Sequence, residues 1–186
     1  RQQPNRPRTA LPAMSSPRWI SGSYAPEDCK FLLKPLPPTF RTIEEKERLI
    51  QSGQLHYSEI IHQEQPPAPA YTQLFMEMVA RYTERLAHDL VRLAQQIDTL
   101  RPADPVILLS LARAGTPIGV LLRRDLRHRY QRCVHHYSIS IIRDRGIDEN
   151  ALDYLLAQGY PPEQIVFVDG WTAKGVITRE LHRAVE

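Results

Sequence analysis

The residues best suited to chemistry follow a short apolar run, Ile165 to Val168, that predicts a buried strand. They are Asp169, Gly170, Trp171, Thr172, Ala173, Lys174 and Gly175. An acid at the end of a strand, followed by small residues that open a helix, is typical of an anion-binding turn, because backbone N–H groups and the positive end of the helix meet there. An ordinary strand-to-helix turn has the same composition, since glycine-rich turns are common.

A second loop has the same setting. The apolar run 106–111 predicts a buried strand, and a helix is predicted from Pro117 to about Tyr130. The residues between them include Arg113, Ala114, Gly115 and Thr116. Ligands of parallel sheets bind beyond the carboxyl ends of the strands, so both loops lie where a ligand would bind.

Strands and helices alternate after the first third of the chain. Apolar residues recur every three or four positions from Leu74 to Leu100, which predicts one long amphipathic helix. Further strands are predicted at 106–111, 137–142 and 165–168, and helices at 117–130, 148–158 and 176–186. This alternation predicts an α/β fold with a parallel sheet and right-handed crossovers.

The composition of the chain changes near residue 70. Eleven of the 16 prolines precede residue 71. We therefore expect an extended, basic and proline-rich arm at 1–20, an irregular N-terminal extension at 21–70, and the core at 71–186. Arg1 is not a start methionine, and the last predicted helix has no cap. We expect the core to continue beyond residue 186.

The two loops resemble the phosphoribosyl pyrophosphate (PRPP) motif and the pyrophosphate loop of type I phosphoribosyltransferases, in order and in spacing. More narrowly, most of the chain after residue 20 resembles a bacterial group described as tellurite-resistance-associated phosphoribosyltransferases and also labelled cysteine protease StiP. The narrower resemblance is carried by Gly22-Ser23-Tyr24, Phe31-Leu32-Leu33-Lys34, His56-Tyr57-Ser58-Glu59, the segment from Ser110 to Pro117, His136-Tyr137-Ser138-Ile139-Ser140 and Val168-Asp169-Gly170-Trp171-Thr172.

The resemblance implies a phosphoribosyltransferase-like (Rossmann-like) core that binds PRPP or a ribonucleotide. It implies transfer of ribose 5-phosphate to an unknown acceptor, with Mg²⁺ held by the ligand and no direct protein ligand. In this scheme residues 172–175 hold the 5-phosphate, Asp169 contacts the ribose hydroxyls, and residues 113–116 hold pyrophosphate. Gly170 departs from the family motif, which has a second acid there. That departure favours the alternative of a non-catalytic nucleotide-binding or stress-response module.

Two further clusters are assigned on the same basis. Arg143 and Arg145 follow the second predicted strand and are candidates for a hood that closes over phosphate, although a solvated charged turn has the same composition. The acceptor side would be formed by polar residues in the N-terminal extension, for which a surface turn is the alternative. These residues are His56, Tyr57, Ser58 and Glu59.

The two cysteines, Cys29 and Cys133, keep a third function open, that of a cysteine peptidase. A cysteine nucleophile needs a nearby base, and Cys29 with His56 or His62 is the pairing that we consider. We expect Cys133 to lie too close in sequence to the histidines at 135–136 to be oriented by either. Adjacent strand residues point to opposite faces, so one of these histidines is expected to be buried and the other exposed. Inert cysteines are the alternative.

Composition excludes several classes of protein. Two cysteines exclude a disulfide scaffold or a four-cysteine zinc site, and no apolar run is long enough to span a bilayer. The net charge of +3 does not by itself argue for nucleic acid, and Asp125 interrupts the arginines of the 117–130 helix. We expect a cytoplasmic protein whose partner is a phosphorylated ribose or a nucleotide, with a homo-oligomer as an open alternative.

Overall fold

The centre of the structure is a parallel sheet with helices on both faces. This computed structural model describes residues 19–36, 42–53, 65–142, 145–171 and 174–185. Its strands are β1 (Lys30–Phe31), β2 (Val106–Leu111), β3 (Val134–Ile139), β4 (Ile141–Ile142), β5 (Gly146–Ile147) and β6 (Ile165–Val168). Its helices are α1 (Ile43–Gln51), α2 (Pro69–Leu100), α3 (Gly115–Tyr130), α4 (Glu149–Ala157) and α5 (Val176–Val185), with a short 3₁₀ turn at Pro162–Gln164.

The main sheet has the strand order β1–β3–β2–β6, and every neighbouring pair is parallel. All six residues of β2 are buried, as expected for a strand that is covered on both faces. The predicted α/β fold with a parallel sheet is therefore confirmed. The finer assignment to a phosphoribosyltransferase-like core stays a prediction.

The strand predicted at 137–142 is displaced and divided. β3 begins at Val134 and ends at Ile139, while β4 pairs antiparallel with β5 in a separate two-stranded sheet. The break falls at Ser140, whose carbonyl accepts a hydrogen bond from the N–H of Asp148 at 3.0 Å instead of continuing the main sheet.

Two apolar clusters cover the two faces of the sheet. One contains Ile107 and Leu109 and is closed by α4, with residues of α5 packed against it. The other contains Leu108 and is closed by α3 and by the last turns of α2. Successive β2 side chains enter opposite clusters because strand residues alternate between faces. The sheet is thus held from both sides, which fixes the register of its central strand.

An ion cluster fixes the segment before β1 to α3. Asp28 is buried, and its carboxylate accepts hydrogen bonds from Arg123 at 3.2 Å and from two nitrogens of Arg124. The hydrogen bond from Arg124 is the main reason that the pKa of Asp28 lies below its usual value. β1, which lies within the predicted N-terminal extension, is therefore an edge strand of the main sheet.

Helix α2 is the longest element, with 32 residues and Pro69 in its first turn. It spans about 48 Å at 1.5 Å per residue. Its buried residues, Ala94 and Ile97, lie near its end, where α2 packs on α3. The prediction of one long helix ending before Pro102 is confirmed. In the part of the chain that the structure describes, no helix is both long and apolar enough to cross a membrane.

Candidate active site

The two predicted loops meet at the carboxyl edge of the sheet. Residues 112–114 join β2 to α3, and residues 169–175 join β6 to α5, with Thr172 and Ala173 outside the described residues. Both loops line a cleft of about 240 Å³. Its walls are formed by Leu111, Ala112, Arg113, Ala114, Ile141, Asp169, Trp171 and Ile177.

Two glycines bring these loops into backbone contact. A Cβ atom on Gly115 would lie 2.2 Å from the carbonyl oxygen of Val168, and one on Gly170 would lie 2.2 Å from that of Ala114. Both distances are far below van der Waals contact, so neither position admits a side chain in this arrangement. Close packing of the two loops is therefore sufficient to explain why residue 170 is a glycine. Type I phosphoribosyltransferases, which the sequence resembles, have an acid at this position.

The polar groups in and next to the two loops are partly committed to hydrogen bonds within the protein. Asp169 accepts a hydrogen bond from the backbone N–H of Trp171 at 3.0 Å, and the Trp171 side chain is exposed. The hydroxyl of Thr116 is buried and lies 2.8 Å from Oγ of Ser138 in β3. The Lys174 carbonyl accepts a hydrogen bond from the side chain of Arg179 at 3.3 Å.

The other residues predicted from the resemblance are placed only in part. Arg145 lies in the tight connection between β4 and β5, where its N–H donates to the carbonyl of Ile142 at 3.1 Å. Arg143 lies outside the described residues, and so does the proposed acceptor side at 56–59. The hood and acceptor assignments stay predictions.

A thiol and an imidazole lie together at the opposite, amino edge of the sheet. Cys133 directly precedes β3, and His135 is the second residue of that strand. Residues two apart in a strand share a side, and Sγ of Cys133 is 4.0 Å from Nε2 of His135. The Cys133 thiol is exposed, and His135 is half-buried. The two side chains are therefore in contact, although Cys133 was expected to lie too close in sequence to His135 to be oriented by it.

The surroundings of His135 favour the neutral imidazole. Burial, followed by the charges of Lys30 and Arg123, lowers the pKa of His135 below its ordinary value. The ring packs beside that of Tyr160, with centroids 5.5 Å apart and planes inclined by 36°. A neutral ring nitrogen near the thiol at pH 7 is the form that a general base requires.

A network around Arg132 fixes the backbone at Cys133. Arg132 donates to Asp98 at 2.6 Å and to Asp104 at 2.7 Å, and both carboxylates lie close to the end of α2. The N–H of Cys133 donates to Asp104 at 3.4 Å, and its carbonyl accepts from the N–H of Val106 at 2.9 Å. The backbone that carries the exposed thiol is therefore fixed by hydrogen bonds at both its N–H and its carbonyl group.

The environment of Cys29 differs from that of Cys133. Cys29 is only 1% exposed. Burial, and secondarily the charge of Asp28, raises the pKa of its thiol to about 12. Because the thiolate is the nucleophile, these surroundings hold Cys29 in an unreactive form at neutral pH. His56 and His62, considered as its partners, lie outside the described residues.

A buried chain of hydrogen-bonded polar groups, which was not predicted from the sequence, lies between the sheet and α3. Ser110 Oγ lies 2.7 Å from Nε2 of His136, and Nδ1 of His136 donates to the carbonyl of Asp28 at 2.7 Å. A Cβ on Gly119 would lie 2.2 Å from Ser110 Oγ, so a helix glycine makes room for the chain. In the sequence this chain could have been suspected from Ser110, which is a single hydroxyl residue in an otherwise apolar strand. His136 is buried, as expected for one of the adjacent histidines, whereas His135 is half-buried.

Fold and site together define an α/β protein with a parallel sheet, a two-loop cleft at one edge and a thiol–imidazole pair at the other. A family model described as "Tellurite-like stress resistance cysteine protease StiP" matches residues 22–186, and the chain belongs to this family. A protein of Acinetobacter baylyi named "Cysteine protease StiP" is 45% identical over 166 residues, which cover 89% of this chain and 43% of that relative. The chain thus spans less than half the length of this curated relative. No solved structure matches this chain.

These relatives correct the main functional prediction. The chain was expected to be a phosphoribosyltransferase, but both the family and the relative are named for a cysteine protease, which is a hydrolase. The prediction of phosphoribosyl transfer is therefore wrong, and the alternative of a cysteine peptidase agrees better with the comparisons. The expected binding of PRPP and of Mg²⁺ held by the ligand stays a prediction.

Proposed function

We propose that this chain is part of a cysteine protease in which Cys133 is the nucleophile and His135 is the general base. The observation that carries the proposal is the 4.0 Å contact between an exposed thiol and a neutral imidazole. The other cysteine is buried with a strongly raised pKa. Because the chain spans 43% of its relative, the activity is proposed for the whole protein.

In the proposed reaction His135 Nε2 takes the proton of the Cys133 thiol while Sγ attacks the carbonyl carbon of a substrate amide. The C–N bond then breaks, and the imidazolium gives its proton to the leaving amine. Water, deprotonated by the same nitrogen, hydrolyses the acyl thioester and restores the thiol. A distance of 4.0 Å is long for an S–H···N hydrogen bond, and such contacts commonly tighten when substrate binds.

A small cavity beside His135 supports this placement. It has a volume of about 150 Å³ and is lined partly by Glu27, Lys30 and Arg123. Charges of both signs at its wall suit the polar side chain of a peptide better than an apolar group. We infer that this cavity receives a substrate residue next to the bond that is cleaved.

The test uses the whole protein and a fluorescently labelled, unfolded protein as substrate. Cys133→Ser should lower turnover by at least 100-fold, whereas Cys29→Ser, the matched thiol-to-hydroxyl control, should stay within about threefold of wild type, provided that it remains folded. His135→Gln should lower turnover and remove the acidic limb of its pH profile, since the base titrates there. Full turnover by Cys133→Ser would refute the assignment, and so would equal losses in both cysteine variants.

The family description also suggests a physiological role. We propose that the protease contributes to resistance against tellurite-like stress. A deletion strain should regain growth on tellurite with the wild-type protein and not with Cys133→Ser at equal abundance. Rescue by the serine variant would separate stress resistance from thiol chemistry.

A further inference from the structure

The small cavity beside the thiol–imidazole pair is surrounded by more cations than carboxylates. Its wall includes Lys30, the first residue of β1, Arg123 of α3, and Glu27. Arg123 is bonded to Asp28, which also accepts hydrogen bonds from Arg124. These three cations outnumber the two carboxylates by one, so the electrostatic potential at the cavity favours an anion.

The cavity has the size of a single side chain. Its volume of about 150 Å³ is below the roughly 300–1,000 Å³ of pockets that enclose a drug-sized ligand. A nucleotide is therefore too large for it, whereas the carboxyl group of one amino acid is not. Because His135 forms part of its wall and contacts Cys133, a group bound here lies next to the amide bond that the thiol attacks.

Lys30 provides an ammonium group without a counter-ion. The residue is half-buried, and in the part of the chain that the structure describes its side chain makes no hydrogen bond or ion pair. Its backbone pairs with Tyr137, which lies two residues after His135 and is also part of the cavity wall. A partly buried charge is screened less than an exposed one, so the ammonium attracts an anion that enters the cavity.

Arg123 provides a second cation that is incompletely neutralised. Its side chain is only 9% exposed, and one terminal nitrogen donates to Asp28 at 3.2 Å. Asp28 also accepts hydrogen bonds from two nitrogens of Arg124, so one carboxylate is shared between two guanidinium groups. Among the described residues, Nε of Arg123 is buried without a hydrogen-bond partner. A second carboxylate near Arg123 is therefore favourable, because a buried charge needs a counter-charge.

Glu27 does not reverse the preference for an anion. The residue is exposed, and its carboxylate attracts the charges of Arg123 and Arg124. His135, by contrast, is acted on by the charges of Lys30 and Arg123. Solvent screens an exposed carboxylate, so a basic substrate side chain would meet one weak anion and two less exposed cations.

We propose that this cavity binds a carboxylate of the substrate and that Lys30 and Arg123 are its specificity-determining residues. The protease then prefers substrates with an acidic group next to the cleaved bond, either an Asp or Glu side chain or a free carboxyl terminus. The bound carboxylate also stabilises the imidazolium that forms when His135 takes the thiol proton, since opposite charges attract. The preference in cleavage rests on the proposed protease function, whereas the preference in binding is measured without it.

The first test measures peptide binding to the whole protein carrying Cys133→Ser. Calorimetry compares three acetylated alanine pentapeptides: one with a central Glu and an amidated end, one with a central Gln and an amidated end, and one with a central Gln and a free carboxyl end. A recognised carboxylate should lower the dissociation constant about tenfold relative to the amidated Gln peptide, because a hydrogen bond to a charged group supplies roughly that factor. Tighter binding of the Glu peptide assigns the cavity to a side chain, and tighter binding of the free-ended peptide assigns it to a chain terminus. Equal dissociation constants for all three peptides would overturn the proposal.

Variants of Lys30 then show whether the preference arises in this cavity. Lys30→Met removes the charge but keeps a long unbranched side chain, and it should reduce the preference to within about threefold. Lys30→Arg keeps the charge and should keep the preference. Lys34→Met removes the same charge from an exposed position beyond β1 and should not change the preference. An undiminished preference in Lys30→Met, or an equal loss in Lys34→Met, would overturn the proposal.

Cleavage by the protein with its native cysteines distinguishes the two proposals. In a peptide that the protein cleaves, replacing the recognised carboxylate by an amide should lower kcat/KM about tenfold. Equal cleavage of the two peptides would overturn the carboxylate site and leave the protease proposal intact. Binding that depends on Lys30, without any cleavage, would refute the protease proposal and leave the carboxylate site intact.

Discussion

Replacing Arg132 by alanine should destabilise the protein and disturb the segment that carries Cys133. The Arg132 side chain is only 11% exposed. Its guanidinium donates to the carboxylates of Asp98 and Asp104, and to the carbonyls of Arg101 at 2.6 Å and Ala103 at 2.8 Å. The Arg132 side chain thus connects the backbone next to Cys133 to the end of α2 and to the turn before β2.

The expected loss follows from these contacts. Hydrogen bonds to charged groups contribute about 1.5–3 kcal/mol each, but Asp98 and Asp104 are 29% and 48% exposed, so solvent weakens both pairs. We expect Arg132→Ala to lower the free energy of unfolding by about 2–4 kcal/mol. For a chain of this size the midpoint of thermal unfolding falls by roughly 2–4 °C per kcal/mol.

Urea unfolding of wild type and variant at several pH values tests this prediction. The hydrogen bond from Arg132 is the main reason that the pKa of Asp104 is lowered. A lowered pKa contributes stability above the unfolded value of about 3.9 and loses it as pH falls through the folded value. The difference between the two proteins should therefore be full at pH 7 and shrink below about pH 4.

The control is Arg129→Ala, which removes a half-exposed arginine paired with Asp125 on the surface of α3. That change should cost less than about 1 kcal/mol. Equal losses for Arg129→Ala and Arg132→Ala would refute the reasoning, as would a pH-independent difference. The alkylation rate of the Cys133 thiol should change in the Arg132 variant and not in the control, because only Arg132 adjoins Cys133.

Three further predictions rest on other features of the structure. Asp28→Asn should cost about 3–5 kcal/mol at pH 7, because it leaves the buried Arg123 without its counter-charge. Since the pKa of Asp28 is lowered, the deficit in urea unfolding should shrink as pH falls through the folded pKa, and an unchanged deficit at pH 3 would contradict this. Gly170→Ala should cost about 1–3 kcal/mol through overlap with Ala114, and an unchanged thermal midpoint would contradict the loop contact. At pH 8 iodoacetamide should modify Cys133 and leave Cys29 intact until the protein unfolds, as peptide mass spectrometry would show, because burial raises the pKa of Cys29 to about 12.

The sequence predicted the sheet where local patterns are unambiguous. β2 is almost wholly apolar and α2 has a clear helical period, so both were expected close to their observed positions. β1 has only two residues, and its pairing with β3 joins positions more than 100 residues apart. The local pattern of such a short segment fits either a strand or a helical turn, and the contacts of Asp28 with α3 hold the segment before it in place.

The thiol–imidazole pair was considered from the sequence and set aside, because Cys133 was expected to lie too close to the histidines at 135–136 to be oriented by either. The strand itself was expected to begin at Tyr137. It begins at Val134, which pairs with Val106 of β2, and His136 satisfies both ring nitrogens inside the protein. With the strand extended to Val134, alternation alone places Cys133 and His135 on one side.

The carboxyl-edge loops show why composition did not identify the function. Gly170 stands where two backbones approach too closely for any side chain, and the Thr116 hydroxyl is bonded to Ser138 in the neighbouring strand. Strand-to-helix turns of a parallel sheet impose such demands whatever the protein binds, so similar loops arise on proteins with different chemistry. The amino edge places an exposed thiol beside a neutral imidazole on a fixed backbone, which sheet packing does not require. Side chains that packing does not explain are a better guide to function than such loops, and at the amino edge these side chains are Cys133 and His135.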